Sequence, residues 1–217
     1  MTAVKTKAAL KRIIETLKTI YPDSLCSLQY EKDYELLFAV RLSAQCTDER
    51  VNKVTPALYA RFPTLESFAE ADPQEVGQCI RSCGFFNGKA RDIVSCAQKL
   101  LSDFGGKVPG TMEELTSLPG VGRKTANLIL GDIYGLPAYV CDTHCIRITG
   151  RLGITDGSKD PLQVERQLRQ TIPPKESGNF CHRMVLFGRD TCTARSPKCA
   201  ACPLRRDCDA CPADAKK

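Results

Sequence analysis

The sequence predicts an all-α fold, and three observations carry this prediction. Apolar residues recur with a helical period of about 3.6 along most of the chain. Alternation of apolar and polar residues, which is typical of strands, is nearly absent, and residue pairs that mark helix starts recur along the chain. The period is clear over residues 93–104 and 51–58, so a helix is expected in each segment.

Helix starts are marked by capping boxes, in which the N-cap side chain and the side chain three residues later each accept a backbone N–H. In two of the three cases a proline directly follows the N-cap and suits the first helical position. The pairs are Asp72 with Glu75, Thr111 with Glu114, and Asp160 with Gln163.

The first 21 residues are rich in lysine, which raises the question of a targeting peptide. Their apolar residues share one helical face and form no continuous apolar stretch, so an amphipathic helix docked on the protein is predicted instead. The apolar positions of that face are Leu10, Ile13, Ile14, Leu17 and Ile20.

Length and composition indicate an ordinary globular protein with a polyanionic partner. The chain has 217 residues, of which 42% are hydrophobic, and this is enough to bury a core. The formal net charge of +6 favours a polyanion without identifying it. No apolar run approaches the length of a membrane span, so we expect no membrane association.

The 13 cysteines are unevenly distributed, and no secretory signal suggests a disulfide framework. Five of them, Cys192, Cys199, Cys202, Cys208 and Cys211, crowd the last 26 residues and indicate a metal-organised tail. The other eight are predicted to be reduced and buried as small apolar side chains. They are Cys26, Cys46, Cys79, Cys83, Cys96, Cys141, Cys145 and Cys181.

Residues 118–122, with the sequence LPGVG, predict a turn between two helices, the second beginning near Val121. Gly120 and Gly122 permit backbone conformations and close approaches that other residues do not. Amides at such a helix start can bind a phosphate oxygen, so the turn has the signature of a helix-hairpin-helix that contacts the DNA backbone. The alternative is that the glycines serve only a tight turn.

Two longer segments resemble the endonuclease III family. Residues 118–126, LPGVGRKTA, and residues 140–148, VCDTHCIRI, are both similar to its catalytic segments. The resemblance implies that Lys124 is a nucleophile and that Asp142 assists it. Imine formation at a sugar carbon requires an amine, which lysine supplies. The alternatives are a solvated phosphate-binding cation at Lys124 and a helix N-cap at Asp142.

Two further segments resemble the family loops that enter DNA. They are residues 42–48, LSAQCTD, in which Gln45 matches the gap-filling glutamine, and residues 83–89, CGFFNGK, in which Phe85 replaces a familiar leucine. An aromatic ring can stack on bases, so a wedge remains the expected role of Phe85. The alternatives are a solvated amide at Gln45 and a core residue at Phe85.

Neighbouring residues in and near these segments receive structural interpretations. Phe86 is predicted to be the buried member of the phenylalanine pair. Arg41 and Lys89 are predicted to be surface charges that are able to meet phosphate. His144 and His182 are expected to be packed polar residues, because neither shows the paired spacing of metal ligands.

The spacing Cys192-x6-Cys199-x2-Cys202-x5-Cys208 also matches the family, where it holds a [4Fe–4S] cluster. Arg195 and Lys198 lie between the first two cysteines, where a rigid cluster can present them to phosphates. The alternative is a four-thiolate zinc site that uses Cys211 in place of Cys192.

The resemblance extends over nearly the whole chain and implies a two-lobed helix-hairpin-helix DNA glycosylase fold with a C-terminal iron–sulfur cluster loop. One domain would comprise residues 26–136, and the other residues 1–25 with 137–217, so that Lys124 and Asp142 face each other across a cleft. The implied protein is a monomeric glycosylase and abasic-site lyase of base excision repair. It would act on double-stranded DNA that contains oxidised pyrimidines or abasic sites and, in a prokaryote, would lie in the cytoplasm on the nucleoid.

Two other functions stay open from the sequence. An adenine-removing relative does not need an imine-forming lysine and usually carries an additional C-terminal domain, which is not found in this sequence. A non-catalytic DNA-binding module would use the hairpin together with a zinc knuckle.

Overall fold

A computed structural model describes residues 5–216, and within them the fold is all-α without strands, as predicted. Residues 1–4 and 217, which fall in the domain predicted for residues 1–25 and 137–217, lie outside the described residues. The α-helices are α1 (Lys7–Ile20), α2 (Asp33–Ser43), α3 (Asp48–Arg61), α4 (Leu65–Ala69), α5 (Pro73–Cys79), α6 (Phe86–Phe104), α7 (Met112–Ser117), α8 (Arg123–Asp132), α9 (Thr143–Leu152), α10 (Pro161–Thr171) and α11 (Ser177–Asp190). Short 3₁₀ segments span Arg81–Cys83, Pro174–Glu176, Cys199–Ala201, Arg205–Asp207 and Ala213–Lys216.

The predicted helix starts are confirmed. Asp72, Thr111 and Asp160 are the N-caps of α5, α7 and α10, and each side chain accepts a backbone N–H of the first turn. The predicted reciprocal partners act differently. Glu75 pairs with Arg61 at 3.2 Å, and Gln163 bonds to the side chains of Ser158 and Asp156, because these groups lie within reach once the chain has folded.

Chain contacts divide the protein into two compact units. Unit 1 consists of Met1–Leu25 and Pro137–Lys217, and unit 2 consists of Cys26–Leu136. Each unit has buried apolar residues of its own.

The core of unit 2 forms around α2 and α6. Helices α4 and α5 pack on α6, while α2 packs on α3 and α8. Phe68 of α4 is fully buried and lies edge-on to Phe38 of α2, with ring centroids 5.0 Å apart. Edge-to-face aromatic pairs of this kind add to the hydrophobic gain of burial. These contacts fix α6, whose first turn directly follows Phe85.

The core of unit 1 joins α1, α9 and α11 and extends into the cysteine-rich tail. Ile13 and Leu17 of α1 pack with Ile148 of α9, and the apolar cluster continues to Leu204, which is 1% exposed. Helix α1 is therefore docked as predicted, except that Ile20 at its end is 38% exposed. The tail is anchored by burial of an apolar residue as well as by its cysteines.

Five of the eight cysteines predicted to be buried lie in the cores, and three lie at the edges. Burial is observed for Cys83, Cys96, Cys141, Cys145 and Cys181, whereas Cys26, Cys46 and Cys79 are half-buried.

Candidate active site and cluster site

The turn between α7 and α8 has the hairpin form that the sequence predicts. The Val121 amide donates to the Leu118 carbonyl at 3.1 Å and closes the turn. Helix α8 begins at Arg123, two residues later than expected, and its N-cap is Gly122. Because glycine has no side chain, the N-cap of α8 makes no side-chain hydrogen bond to the first-turn amides.

Glycine suits the two positions of this turn for different structural reasons. Gly120 has a φ of +74°, and a Cβ there would lie 2.8 Å from Nε of Arg41. Gly122 has an ordinary extended backbone, and a Cβ there would meet nothing within 4 Å. Packing therefore requires glycine at position 120, whereas at position 122 its absent side chain leaves space beside the amides.

Lys124 is the second residue of α8, and its side chain is exposed. The sequence placed it in the first helical turn, and the helix bounds agree. The positive end of a helix dipole lies at this turn and disfavours a further positive charge, while it favours an anion. An exposed amine beside uncapped amides can meet a phosphate-bearing ligand.

Asp142 is the N-cap of α9, where its Oδ1 accepts from the Cys145 amide at 2.7 Å. The N-cap alternative raised by the sequence is therefore correct for this oxygen. The residue is only half-buried, so a ligand can still reach the carboxylate although one of its oxygens caps the helix. Asp142 belongs to unit 1, whereas Lys124 belongs to unit 2.

Gln45 and Phe85 share an unusual backbone conformation. Their φ values are +55° and +47°, and within residues 5–216 they are the two non-glycine residues with positive φ. For such residues the left-handed region costs on the order of 1 kcal/mol. Both side chains are exposed, that of Phe85 by 75%. Strain that presents an apolar ring to solvent is typical of functional segments.

Three neighbours of these segments differ from the sequence-based expectation. Lys89 is not a surface charge, because it is 1% exposed. Arg41 is half-buried and forms an ion pair with Asp92 at 2.6 Å, beneath the hairpin turn. Phe86 is half-buried and not fully buried, because its ring covers Gly77 at the surface of α5.

Cysteines line a cavity of about 230 Å³ in the tail of unit 1. The lining includes all five tail cysteines, namely Cys192, Cys199, Cys202, Cys208 and Cys211. Thiolates are the usual ligands of iron–sulfur clusters, and the donor set and the cavity therefore fit such a group. Cys211 is the most buried of the five, and the other four are half-buried.

Two arginines of α9 that the sequence analysis did not single out donate hydrogen bonds to the loop that lines this cavity. Arg151 donates to the Cys192 Sγ at 3.3 Å and to the carbonyls of Thr193 and Ala194 at 2.8 Å. Arg147 donates to the Cys192 carbonyl at 2.9 Å. Their spacing of four residues was the available signal, since residues four apart share a helix face.

The two basic residues predicted to contact phosphates, Arg195 and Lys198, are exposed. The Lys198 Nζ lies 3.9 Å from a carboxylate oxygen of Asp190. An exposed pair at this distance contributes little to stability, so both charges remain able to meet phosphates.

Of the two histidines, His144 contacts Arg147 through its Nδ1 at 3.2 Å. The helices found in residues 5–216 include none that could span a membrane.

Comparison with known proteins gives two family matches. The model for the HhH-GPD superfamily of base excision DNA repair proteins matches residues 38–174. The model for the iron–sulfur binding domain of endonuclease III matches residues 192–208. The second match begins at Cys192 and ends at Cys208, so that Cys211 lies outside it.

Similar proteins cover nearly the whole chain. Endonuclease III of a Synechocystis species is 46% identical over 203 residues, which are 93% of this chain and 92% of that protein. A solved noncovalent complex of endonuclease III with DNA has a TM-score of 0.90 at 40% identity, and a trapped covalent endonuclease III–DNA intermediate has 0.89 at 40%. Each match covers 94% of this chain and 96% of the other.

Proposed function

We propose, from the premise that this chain belongs to the endonuclease III family of base excision repair enzymes, that Lys124 and Asp142 carry out its chemistry. The protein is a DNA glycosylase with abasic-site lyase activity, and it binds DNA and a [4Fe–4S] cluster. The observation that carries the proposal is the exposed Lys124 in the first turn of α8, beside amides that have no side-chain cap.

The proposed reaction begins when the neutral Lys124 amine attacks C1′ of the damaged nucleotide and the base leaves with its electron pair. The amine then loses a proton, the sugar ring opens, and an imine forms between the Lys124 nitrogen and C1′. Loss of a proton from C2′ expels the 3′ phosphate by β-elimination. A trapped covalent DNA intermediate of a 40% identical relative supports the covalent bond to DNA in this proposal.

Asp142 supports these steps as a carboxylate in this proposal. One oxygen caps α9 and fixes the side chain, which leaves the other to stabilise positive charge on the sugar and to accept a proton. A well-placed acid or base contributes about 10²- to 10⁴-fold to a rate. The cap therefore serves the chemistry by holding the carboxylate in one orientation.

The substrate in our proposal is double-stranded DNA with an oxidised pyrimidine or an abasic site, bound by a monomer. A stacked nucleotide is out of reach of an amine, so the enzyme must turn it out of the duplex. Gln45 would fill the gap, and Phe85 would enter the stack. Their exposure and left-handed backbones support this assignment.

We also propose that the cluster is held by Cys192, Cys199, Cys202 and Cys208, and that Arg195 and Lys198 contact phosphates. The cavity that these cysteines line supports the ligand set. Gly120 and Gly122 would let the hairpin amides approach a phosphate. The two units would then be the two domains, and in a prokaryote the protein would act in the cytoplasm on the nucleoid.

Borohydride trapping with Lys124→Gln tests the mechanism. The variant keeps the backbone amides and loses the nucleophile, so we expect no trapped protein–DNA product and no base removal, with nearly unchanged duplex binding. Lys107→Gln, another exposed lysine of unit 2, is the matched control and should trap as the wild type does. Trapping by Lys124→Gln at the wild-type level would overturn the assignment.

A further inference from the structure

Lys89 is a lysine enclosed in the core of unit 2. Its side chain is 1% exposed, and its Nζ donates to the Leu42 carbonyl at 2.8 Å and to the Cys83 carbonyl at 2.6 Å. Burial lowers the pKa of Lys89, while the thiols of Cys46 and Cys83 act against that shift and Arg41 adds to it. Fully burying such a residue is rare, because its polar head must leave water.

The two carbonyl groups belong to two different segments of the chain. Leu42 is in the last turn of α2, directly before the Gln45 loop, which we define as residues 44–47. Cys83 lies within the Phe85 loop, which we define as residues 80–85, between α5 and α6. One side chain therefore joins the base of the Gln45 loop to the Phe85 loop.

Burial excludes the two simpler roles of this lysine. An amine that is 1% exposed cannot reach a phosphate, and it cannot attack a sugar carbon. Packing alone is also a weak reason, because a leucine or methionine of similar volume would fill the space without bringing a charge into the core. The two short hydrogen bonds are the feature that an apolar residue would lose.

We propose that Lys89 is a positioning residue that couples the Gln45 loop to the Phe85 loop, so that both side chains enter the duplex together. The proposal rests on the proposed function, which assigns Gln45 and Phe85 to the DNA. Each residue is held at positive φ, a conformation that persists only where surrounding contacts enforce it. Hydrogen bonds from one ammonium group to both segments supply such a contact.

The first test uses a duplex with 2-aminopurine beside a tetrahydrofuran abasic analogue, which has no hydroxyl substituent at C1′ and therefore cannot form the imine. The fluorescence of 2-aminopurine rises on unstacking, and the chain contains no tryptophan that would interfere. We expect a rise with the wild type and a much smaller rise with both Phe85→Ala and Lys89→Met. Lys99→Met is the control, because Lys99 lies on α6 and pairs with Asp103 near the surface.

Cleavage rates separate positioning from general damage. In single turnovers, Lys89→Met should cut an abasic site in a duplex at least about tenfold more slowly, and one in a single strand less than about twofold more slowly. Lys89→Arg keeps the charge and should restore part of the duplex rate. Equal losses on both substrates would overturn the proposal and leave Lys89 a residue of the core.

The 2-aminopurine test separates failure of the Lys89 proposal from failure of the assignment on which it rests. If the wild type does not unstack 2-aminopurine, the assignment of Gln45 and Phe85 to the DNA fails together with the role of Lys89, whereas borohydride trapping tests the Lys124 chemistry separately. If the wild type and Lys89→Met unstack it equally, the loops enter DNA, and only the role of Lys89 fails.

Hydrogen exchange in the wild type tests the same coupling without a variant that must fold. The Cys46 amide is bonded to Ser43, and the Cys83 amide is bonded to Ile80, so each reports on one loop. Below the denaturant concentration that unfolds α6, we expect both amides to lose protection together. Loss of protection at different concentrations would overturn the coupling.

Discussion

Helices α8 and α9 have ten residues each, but their first turns are satisfied in opposite ways. Gly122 is the N-cap of α8 and offers no side chain to cap the first turn. Asp142 starts α9 and caps it with its own carboxylate. A helix start can therefore serve a bound anion, or it can orient a side chain, but the same amides cannot do both.

The two helices also differ in which segments contact them. Arg41 of α2 lies close to Gly120 in the hairpin turn before α8. Helix α9 is tied at its other end to the cluster loop, since Arg151 contacts Cys192 and the Arg151 carbonyl accepts from the Ala210 amide at 3.0 Å. Substitutions near the ends of these helices test this difference.

The largest effect is expected at the cluster end of α9. Cys192→Ser should abolish the bound iron, and it should speed hydrogen exchange in α9 because the loop that Arg151 contacts loses its anchor on the cluster. Cys211→Ser is the matched control, since Cys211 lines the same cavity but lies outside the matched residues 192–208. Iron analysis and mass spectrometry measure both effects. Iron loss in the Cys211 variant alone would favour a site of different composition.

The start of α9 should give a large effect on rate with little effect on stability. Asparagine caps a helix about as well as aspartate, so Asp142→Asn should keep Tm and slow single-turnover base removal by about 10²- to 10⁴-fold. Asp160→Asn, at the N-cap of α10, is the control that changes an equivalent cap away from the proposed chemistry. A wild-type rate in Asp142→Asn would reduce Asp142 to a cap.

A side-chain N-cap on α8, like the one on α9, should weaken DNA binding. Gly122→Ser supplies a side-chain acceptor, which stabilises the helix by a few tenths of a kcal/mol and competes with a phosphate for the amides. We expect about a tenfold loss of duplex affinity, as for one hydrogen bond to a charged group. Gly122→Ala fills the same space without an acceptor, so comparing the two by fluorescence anisotropy separates competition from crowding. Unchanged affinity in both would place the phosphate elsewhere.

The smallest effect is expected from the exposed charges of the tail. The combined Arg195→Ala and Lys198→Ala change should make the slope of log affinity against log salt shallower, by about 0.9 for each phosphate that is no longer neutralised. Binding to undamaged duplex over a range of salt concentrations measures the slope. The double change Lys7→Ala with Lys11→Ala removes equal charge from α1 of the same unit and provides the comparison. Identical slopes for the two double variants would mean that net charge alone matters.

The sequence predicted the features that neighbouring residues determine. Helix starts at Asp72, Thr111 and Asp160 were correct, because an N-cap needs only the amides of the turn that follows it. The hairpin turn was correct for the same reason, although α8 begins two residues later than expected. The family motifs, the fold and the cluster also followed from sequence, while the individual roles of Lys124 and Asp142 remain predictions.

The tertiary structure decided which polar side chains are buried and what they hold. The charge of Lys89 suggested an exposed position, but carbonyls of two other segments surround its amine, and those segments meet only after folding. Arg151 was inconspicuous in the sequence, and it holds the cysteine loop 41 residues further along the chain. Local hydrogen bonding can be inferred from adjacent residues, whereas burial depends on surfaces contributed by distant ones. The sequence by itself therefore determined the helices, the turn and the cluster motif, and the folded chain determined the contacts that hold them in place.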